Sequence, residues 1–335
     1  MLVLFAGLAS AGHTFPMVPL AAAARAAGHD VHFAVGEEMH TVLAEEELNP
    51  LRPADVFYQI YAEDLEPELD RLKPDLVVHG WGVPGAAIAT RRAGIPGIWH
   101  GFGRMFPDRI GLELPESVVA GLPHLDICPP SLQDKAFLTG VERIELRPVP
   151  FSPAGVWETR SRPMIYLTLG TAFATPELLT TAVKGLARLG AEVMVATGPV
   201  PPARLGSLPP NVSVYNWVPQ AQLWPHVDVV VHHGGSGTTL GALAAGVPQL
   251  MLPQGADQFT NAQAVSAAGA GTHLLPGELT SEAVAEHARK LLPHHGNSGH
   301  RDAARAIAEE IARMPSPEEV ASRLPRYRGR AGRGG

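Results

Sequence analysis

A glycine-rich segment in the second half of the chain combines the residue types that bind phosphate. Residues 232–239 read His-His-Gly-Gly-Ser-Gly-Thr-Thr, after the apolar run Asp228–His232 and before an amphipathic run. Glycines at such a strand-to-helix junction leave backbone N–H groups accessible, and a helix N-terminus carries partial positive charge. The hydroxyls of Ser236, Thr238 and Thr239 would add donors. The segment therefore predicts a phosphate or diphosphate site.

The spacing of the glycines in this loop excludes three other motifs. A P-loop requires a lysine after its glycines, and this segment has none. The dinucleotide-binding fingerprint requires its third glycine at position 240, whereas the chain has Leu240 there and Gly241 next. A nucleophile elbow requires glycine at position 238, which is Thr238. The remaining alternative is a tight structural turn with two packed histidines.

Apolar runs alternate with amphipathic, alanine-rich stretches on both sides of this loop. In the first half, the pattern predicts strands Leu2–Ala6, Asp30–Val35, Asp75–His79 and Ile95–Trp99 and helices Pro16–Ala27 and Pro84–Ala93. In the second half it predicts strands Met164–Leu169, Glu192–Ala196, Val212–Tyr215, Asp228–His232 and Gln249–Leu252 and helices Pro176–Leu189, Thr238–Ala245, Asn261–Ala268, Ser281–Leu292 and Arg301–Arg313. Fully apolar strands that alternate with helices indicate an α/β fold with parallel sheets covered on both faces. Only Glu113–Leu146 fits no regular pattern.

A proline-rich break divides the chain into two predicted domains. Residues 148–163 contain four prolines, which suit neither a helix nor a central strand. We predict a first domain over 1–148, a linker over 149–163, a second domain over 164–324 and a flexible tail over 325–335. Doubly wound domains bind ligands at the carboxyl ends of their strands. A cleft between two such domains suits a reaction of two substrates.

The composition narrows the class of protein. The 335 residues carry a formal charge of −7, which gives no reason to expect a nucleic-acid partner. Cys128 is the single cysteine, which excludes an intrachain disulfide and a cysteine-based zinc site and fits a reducing, cytoplasmic compartment. The apolar start lacks a preceding basic residue and is interrupted by Gly7, Gly12 and Pro16. We therefore expect a buried strand there rather than a signal peptide or membrane segment.

Four ordered blocks in the second half form a recognisable signature. They are Asn216–Gln220 (Asn-Trp-Val-Pro-Gln), His233–Thr239, Gly246–Pro248 (Gly-Val-Pro) and Pro253–Gln258 (Pro-Gln-Gly-Ala-Asp-Gln). Together they resemble the nucleotide-sugar signature of family 1 glycosyltransferases, and the form of the glycine loop is similar to that of actinobacterial enzymes that glycosylate antibiotics. The resemblance covers residues 160–275 closely and 1–35 loosely. It implies a GT-B fold, with two Rossmann-like domains that bind mainly the acceptor and the donor, respectively.

The resemblance assigns donor-binding roles position by position. Trp217 would stack on the nucleobase, the main chain of Val218 would bond the base edge, and Gln220 would reach the sugar of the nucleoside. The diphosphate would be held by Thr171, His233 and the amides of Gly234, Gly235, Ser236, Gly237 and Thr238. Asp257 and Gln258 would contact hydroxyls of the donor sugar. Because amides and a helix dipole can neutralise a diphosphate, neither a metal nor a cofactor is expected. A core tryptophan and a helix-capping Asp-Gln pair are the alternatives.

In the first domain the resemblance points to a general base. His13, Pro16 and Pro19 match the family pattern His-x-x-Pro-x-x-Pro, and Gly12 belongs to the same substrate-binding turn. Pro16 suits a first-turn helical position. An imidazole with an ordinary pKa near ~6.5 is largely neutral at pH 7, so His13 is suited to act as the base. A helix-capping histidine is the alternative.

A catalytic histidine usually leans on a carboxylate that orients its ring. In relatives that use such a dyad, the carboxylate follows a later strand. Asp108 is the candidate here, with Glu113 as the second choice. Neither residue stands in a motif of its own.

One position departs from the family pattern. Plant members carry a glutamate in the helix after the glycine loop that binds both ribose hydroxyls, and the matching residue here is Gly241. A nucleoside without a 2′-hydroxyl needs no such ligand, which favours a dTDP-sugar over a UDP-sugar. On this reading, Gly241→Glu is expected to narrow or reverse the preference.

The sequence therefore predicts an inverting, hexosyltransferase-type glycosyltransferase that uses an NDP-sugar and a small-molecule aglycone. A homodimer is the oligomeric option, with no nucleic-acid or membrane partner. One alternative is a GT-B-type nucleotide-sugar epimerase, which would need paired carboxylates near the glycine loop. Another is a non-catalytic nucleotide-sugar-binding accessory protein, against which the presence of His13 stands. The short stretch between Glu45 and Asp75 also leaves room for a partner protein that completes the acceptor pocket.

Overall fold

The computed structural model describes residues 1–52, 58–105, 121–153, 163–171, 173–293 and 299–329. The chain folds as two compact units, one formed by Met1–Phe151 with Arg313–Gly335 and the other by Ser152–Ala312. The C-terminal residues therefore belong to the same unit as the N-terminal half. Within the described ranges, no helix is both long and apolar enough to cross a membrane.

The first unit is built on a seven-stranded parallel sheet with the order β3-β2-β1-β4-β5-β6-β7. Its strands are β1 (Leu2–Ala6), β2 (Asp30–Ala34), β3 (Pro50–Leu51), β4 (Leu76–Gly80), β5 (Gly97–His100), β6 (His124–Asp126) and β7 (Arg143–Glu145). β1 pairs with β2 on one side and with β4 on the other, so the sheet grows outward in both directions from β1 and β4. Such a reversal of strand order is where doubly wound sheets bind ligands.

Helices of the first unit connect these strands. They are α1 (Ala11–Thr14), α2 (Val18–Ala26), α3 (His40–Glu45), α4 (Tyr58–Leu72), α5 (Pro84–Arg92) and α6 (Lys135–Gly140). We predicted a single helix over Pro16–Ala27, and its predicted start is wrong. Phe15–Met17 forms a 3-10 turn, and α2 begins after it at Val18. Pro16 lies in the first turn of that segment, where its missing N–H leaves no hydrogen bond unmade.

β6 and β7 occupy the stretch that showed no regular pattern in the sequence. Asp126 in β6 is fully buried, and its carboxylate pairs with Arg143 Nε of β7 at 2.8 Å. The side-chain amide of Gln133 donates a second bond to Asp126 at 2.9 Å. Because polar, mutually paired side chains fill inward-facing positions here, the strands lack the apolar run by which the others are recognised.

The second unit has a six-stranded parallel sheet with the order β10-β9-β8-β11-β12-β13. Its strands are β8 (Met164–Thr168), β9 (Glu192–Ala196), β10 (Val212–Tyr215), β11 (Val229–His232), β12 (Gln249–Met251) and β13 (Gly271–His273). The strand order reverses between β8 and β11, which are hydrogen-bonded neighbours. The five strands predicted here are confirmed within a residue at each end, and β13 was missed.

Helices of the second unit follow the strands in the same alternating way. They are α7 (Pro176–Leu186), α8 (Gln220–Leu223), α9 (Ser236–Ala244), α10 (Gln258–Ala267), α11 (Ser281–Leu291) and α12 (Gly299–Arg313). α7 begins at the N-cap Thr175, whose hydroxyl accepts the N–H of Leu178, and it buries an apolar face against α11. Leu179, Val183 and Val284 are part of the resulting core.

The chain ends in the first unit. Ser316 caps α13 (Pro317–Ala321), which packs against α2, and the N–H of Arg147 donates to the carbonyl of Pro315 at 2.8 Å. A 3-10 helix follows over Leu324–Tyr327. It overlaps the start of the tail that we predicted from residue 325.

Candidate functional site

The reversal of strand order in the second unit brings two glycine-containing turns together. β8 leads into Gly170 and Thr171, and the neighbouring β11 leads into the loop 233–235. Gly170 has φ +70°, and a Cβ built on it would lie 2.7 Å from Cε1 of His233. A Cβ on Gly235 would lie 2.5 Å from Nε2 of the same ring. Glycine is therefore needed at both positions because the imidazole of His233 fills the space between them.

His233 is neutral at pH 7 in this environment. Burial lowers the pKa of its imidazole to about 4. The ring can then donate or accept a hydrogen bond but carries no positive charge. Any attraction for an anion at this turn must come from backbone N–H groups and the helix dipole.

The preceding histidine has a structural role. His232 is fully buried; its Nδ1 accepts the N–H of Gly234 at 3.1 Å, and its Nε2 contacts Oε1 of Gln249 at 2.7 Å. Accepting at Nδ1 requires the proton on Nε2, so the imidazole is the Nε2–H tautomer. The amide of Gly234 is thereby engaged within the protein. That this N–H group binds the diphosphate stays a prediction, and such binding would have to compete with its bond to His232.

The helix α9 presents its remaining N-terminal amides without a side-chain cap. Gly235 is the N-cap, and the first bond across the turn runs from the N–H of Thr239 to the carbonyl of Gly235 at 3.0 Å. The amides of Gly237 and Thr238 precede that bond, where an α-helix supplies no internal acceptor. Gly237 is exposed. This end of α9 therefore offers N–H donors and partial positive charge to an anion.

Two hydroxyls of the loop bond to the protein instead of pointing to a ligand. Ser236 donates to Oδ2 of Asp257 at 2.8 Å, and Thr239 donates to the carbonyl of Gly235 at 2.9 Å. The hydroxyl of Thr238 reaches Oε1 of Gln220 at the longer distance of 3.5 Å. Both hydroxyls therefore fix the start of α9, and the expectation that Ser236 and Thr239 donate to a phosphate stays a prediction.

Asp257 and Asn261 lock this loop from the neighbouring helix. Asn261 Nδ2 lies 2.8 Å from Oδ2 of Asp257, 2.9 Å from the carbonyl of Gly234 and 3.1 Å from Oγ of Ser236. Burial raises the pKa of the Asp257 carboxyl, and the bonds from Ser236 and Asn261 oppose that rise. The sequence singled out Asp257 but not Asn261. The spacing of four residues, which places both side chains on one face of α10, was the available signal.

Gln258 supports the turn that precedes α10. Its Oε1 accepts the N–H groups of Gln254 at 2.8 Å and Gly255 at 3.2 Å, and the residue is 2% exposed. A Cβ on Gly234 would lie 3.0 Å from the carbonyl oxygen of Gln258, so the two segments are in close contact. Oε1 of Gln258 is therefore already engaged by the backbone, and the predicted contact of this residue with the sugar would fall to its Nε2.

The predicted nucleobase residues lie beside the same turns. Trp217 is 50% exposed, whereas Val218 is buried in the core with Trp224. Gln220 begins α8, and its Nε2 donates to the hydroxyl of the buried Tyr166 at 3.1 Å. The exposed indole is available for stacking, and Gln220 ties this segment to β8 and to α9.

A half-exposed aromatic residue was missed by the sequence. Phe173 is 37% exposed and packs where a Cβ on Gly255 would lie 2.9 Å from its ring. Thr171 is exposed two residues earlier. Both follow β8, so they stand at the edge of the sheet that carries the glycine loop. A lone phenylalanine after a Gly-Thr turn gave no pattern to separate it from core residues.

In the first unit, His13 stands at the corresponding reversal between β1 and β4. It lies in α1, whose N-cap is Ser10, and Ser10 Oγ is 2.9 Å from Nδ1 of His13. The ring is half-buried, and burial lowers its pKa. A Cβ on Gly82 would lie 3.2 Å from Cδ2 of His13, so the turn after β4 packs on the edge of the ring. Gly12 is exposed, and a Cβ there would meet nothing within 4 Å.

Asp108 and Glu113, the predicted carboxylate partners of His13, lie outside the described residues. The group that contacts Nδ1 is the hydroxyl of Ser10. Sequence reasoning missed Ser10, although its spacing of three residues from His13 suits a contact within one helical turn. Among the described residues, no group of three histidine, cysteine or carboxylate side chains is placed to hold a metal ion.

Comparison with known proteins identifies the family. Residues 180–326 match the family described as erythromycin biosynthesis protein CIII-like, C-terminal domain. The chain is 34% identical to L-demethylnoviosyl transferase of Streptomyces niveus and 32% identical to elloramycin glycosyltransferase ElmGT of Streptomyces olivaceus, in each case over 97% of both chains. It is similar to the solved structure of glycosyltransferase VinC in complex with dTDP, with a TM-score of 0.83 and 25% identity over 100% of both chains.

These similarities extend over nearly the whole chain. The predicted fold class and enzyme class are therefore confirmed. The chain belongs to the GT-B glycosyltransferases of antibiotic and natural-product biosynthesis.

Proposed function

We propose that this glycosyltransferase moves a sugar, with inversion, from a dTDP-sugar to a hydroxyl of a small-molecule aglycone. The observation that carries the proposal is the uncapped N-terminus of α9 beside the neutral ring of His233. This end of the helix suits a diphosphate, and the exposed indole of Trp217 suits a nucleobase. Thr171 would add a further contact to the diphosphate, and the sugar itself would be contacted by Asp257 and Gln258.

The proposed chemistry is a single displacement. The acceptor hydroxyl gives its proton to Nε2 of His13 while its oxygen forms a bond to the anomeric carbon. The bond from that carbon to the diphosphate oxygen breaks, and its electron pair leaves with dTDP. Amides of Gly235, Gly237 and Thr238 stabilise the charge that develops on the leaving group. Asp108 is the carboxylate that we propose to stabilise the imidazolium of His13.

The nucleobase preference rests on Gly241. A Cβ at this position would lie 2.8 Å from Nε1 of the buried Trp224, so Gly241 faces the protein interior. No acidic side chain can reach a ribose from here unless Trp224 moves. A 2′-hydroxyl that is buried without a partner costs about 1–3 kcal/mol, which favours dTDP. VinC, the solved structure described above, is in complex with dTDP and supports this preference.

The same contact changes the test that the sequence suggested. Gly241→Glu would drive a carboxylate against Trp224, and any loss of binding would then report damage to the fold. Direct competition between nucleotides on the unmodified protein avoids this problem. We expect dTDP to bind about tenfold more tightly than UDP, equivalent to ~1.4 kcal/mol, in calorimetric titrations. Equal affinities would overturn the nucleotide preference and leave the transferase intact.

The transferase reaction is tested by separating donor binding from transfer. His13→Ala should lower the transfer rate by about 10²–10⁴-fold, because it removes the general base. Its affinity for dTDP should stay unchanged, because His13 belongs to the first unit and the phosphate-binding turn to the second. Trp217→Ala is the reciprocal variant and should weaken dTDP binding by about 1–3 kcal/mol.

Mass spectrometry of the product and titration calorimetry provide the two readouts. A His13→Ala protein that transfers at the unmodified rate would remove His13 from the mechanism. If NMR instead detected conversion of the nucleotide sugar into its epimer in the absence of any acceptor, the alternative function of a nucleotide-sugar epimerase would be favoured.

A further inference from the structure

An aromatic surface adjoins the ring of His13 in the first unit. Trp81 and Phe102 have ring centroids 5.2 Å apart with an interplanar angle of 51°. Phe102 and the imidazole of His13 are 5.5 Å apart with an angle of 36°. All three rings are half-buried, so each still presents part of its surface to solvent. These distances fall within the range at which aromatic rings interact.

The fold places these rings together at the ligand-binding edge of the sheet. His13 follows β1, Trp81 follows β4 and Phe102 follows β5, and these three strands are hydrogen-bonded neighbours in parallel register. Their carboxyl ends therefore meet at one edge, on either side of the strand reversal. The turn between Trp81 and α5 contains Gly82, where a Cβ would lie 3.2 Å from Cδ2 of His13. The absence of a side chain at Gly82 is what allows this turn to approach the imidazole.

We propose that Trp81 and Phe102 are specificity-determining residues that bind a flat aromatic acceptor, and that the hydroxyl glycosylated is a phenolic one. This inference rests on the proposed function, because it names the class of acceptor that His13 serves. An aromatic acceptor that stacks on Phe102 or Trp81 lies beside the imidazole. A bulky, saturated acceptor gains no stacking from these faces.

The chemistry of His13 agrees with a phenolic acceptor. Its Nδ1 contacts a neutral hydroxyl, that of Ser10, and burial lowers the pKa of the imidazole. His13 is therefore a weak base. A phenol, with a pKa of about 10, gives up its proton far more readily than an aliphatic hydroxyl, which is roughly as weak an acid as water at about 15.7. As the new carbon–oxygen bond forms, the phenolic proton moves to Nε2 and the dTDP group departs with the electron pair.

Two probes that share one carbon skeleton test the proposal. 2-Naphthol is flat and phenolic, whereas decahydro-2-naphthol is saturated and aliphatic. In calorimetric titrations of the full chain we expect 2-naphthol to bind about tenfold or more tightly than its saturated counterpart. Trp81→Leu and Phe102→Leu should each remove most of this difference. Phe137→Leu is the matched control, since Phe137 is a half-buried aromatic residue of the same unit that packs on His124 instead.

Binding of dTDP is measured on every variant and should not change, which reports that the protein is folded and that donor binding is independent. The proposal is overturned if both probes bind equally, if 2-naphthol does not bind, or if Trp81→Leu and Phe102→Leu keep the preference. These outcomes leave dTDP binding in place. Failure of the proposed function would appear differently, as 2-naphthol binding without any transfer to it from a dTDP-sugar.

Discussion

At the scale of single residues, the donors that the glycine loop can offer to a ligand are those that the protein does not already use in its own hydrogen bonds. Ser236 and Thr239 carry hydroxyls in a phosphate-binding sequence, but they bond to Asp257 and to the carbonyl of Gly235. The amide of Gly234 is likewise directed to His232. We therefore expect an anion to be bound by the backbone at the start of α9. In the first unit, Ser10 contacts Nδ1 of His13, and Nε2 is the nitrogen that we propose accepts the proton.

We expect Ser10 to set the tautomer and the pKa of His13. When Nδ1–H donates to Ser10 Oγ, the other nitrogen has its lone pair free to accept a proton. His13 must be neutral to act, so kcat/KM should fall as the pH drops through its pKa, which lies below 6.5. Ser10→Ala removes a bond that favours the charged ring. The acid limb of the pH profile should therefore shift to lower pH, and the plateau should fall by about two- to tenfold, the range expected for one hydrogen bond.

Ser10→Thr keeps the hydroxyl and is the control for this prediction. It should retain both the position of the acid limb and most of the plateau. A profile for Ser10→Ala that superimposes on that of the unmodified enzyme would mean that the contact has no part in positioning the base.

At the scale of elements, two strands, β8 and β11, and two helices, α9 and α10, meet at the glycine loop. β8 and β11 deliver Gly170 and Gly235 to opposite sides of His233, and α10 holds the loop through Asn261. The sequence of the loop is therefore constrained by packing, in addition to the phosphate binding that we propose for it. Glycines at different positions should respond differently to the same substitution.

The pair Gly235→Ala and Gly237→Ala separates these constraints. A methyl group at Gly235 would lie 2.5 Å from Nε2 of His233, so the imidazole must move and the midpoint of thermal unfolding should fall. A methyl group at Gly237 meets nothing within 4 Å. Because alanine is the better helix former by about 0.8–1 kcal/mol, Gly237→Ala should unfold at the same or a higher temperature. Scanning calorimetry without nucleotide measures both, and equal losses would show that the contact with His233 is not limiting.

At the scale of the whole molecule, buried histidines link stability to pH. His79, His100, His124 and His232 are each no more than 5% exposed. Burial lowers their pKa values to about 3, 4, 3 and 3, respectively. The first three lie on the adjacent strands β4, β5 and β6, and nitrogen atoms of all three lack a hydrogen-bond partner within the described structure. Protonation of these rings is compatible with the unfolded chain but not with the core.

The sign of the pH dependence follows from these shifts. Above pH 6.5 the histidines are neutral in both states, so their contribution is fully present. As the pH falls below 6.5 the unfolded chain takes up protons that the native core cannot, and the free energy of unfolding should decrease by ~1.4 kcal/mol per pH unit for each histidine. Urea unfolding at pH 7.5 and 5.5 measures this loss. His79→Leu should reduce the dependence of the free energy of unfolding on pH by the equivalent of about one proton. His226→Gln serves as the control, because His226 is only half-buried.

The amino-acid sequence by itself determined most of the strands, the alternating α/β order and the position of the glycine-rich turn that we propose binds phosphate. These features are local: β1, β9 and β10 are continuous runs of residues suited to strands, and glycines at a strand-to-helix junction expose amides wherever they occur. The family signature is local in the same way. Its residues stand within four short blocks, and their order is visible without the fold.

Only the tertiary structure decided which groups of the turn remain available and what surrounds the base. Asp257 is 21 residues from Ser236, and Asn261 is 27 residues from Gly234, yet their hydrogen bonds engage groups that the sequence offered to a ligand. Phe102 reaches His13, and Trp81 packs on Phe102, because β1, β4 and β5 follow one another in the sheet, although both residues are far from His13 along the chain. Distances in space decide whether a hydrogen-bond donor or an aromatic ring contacts the rest of the protein or is left to contact a substrate. Residue type and spacing along the chain do not encode those distances.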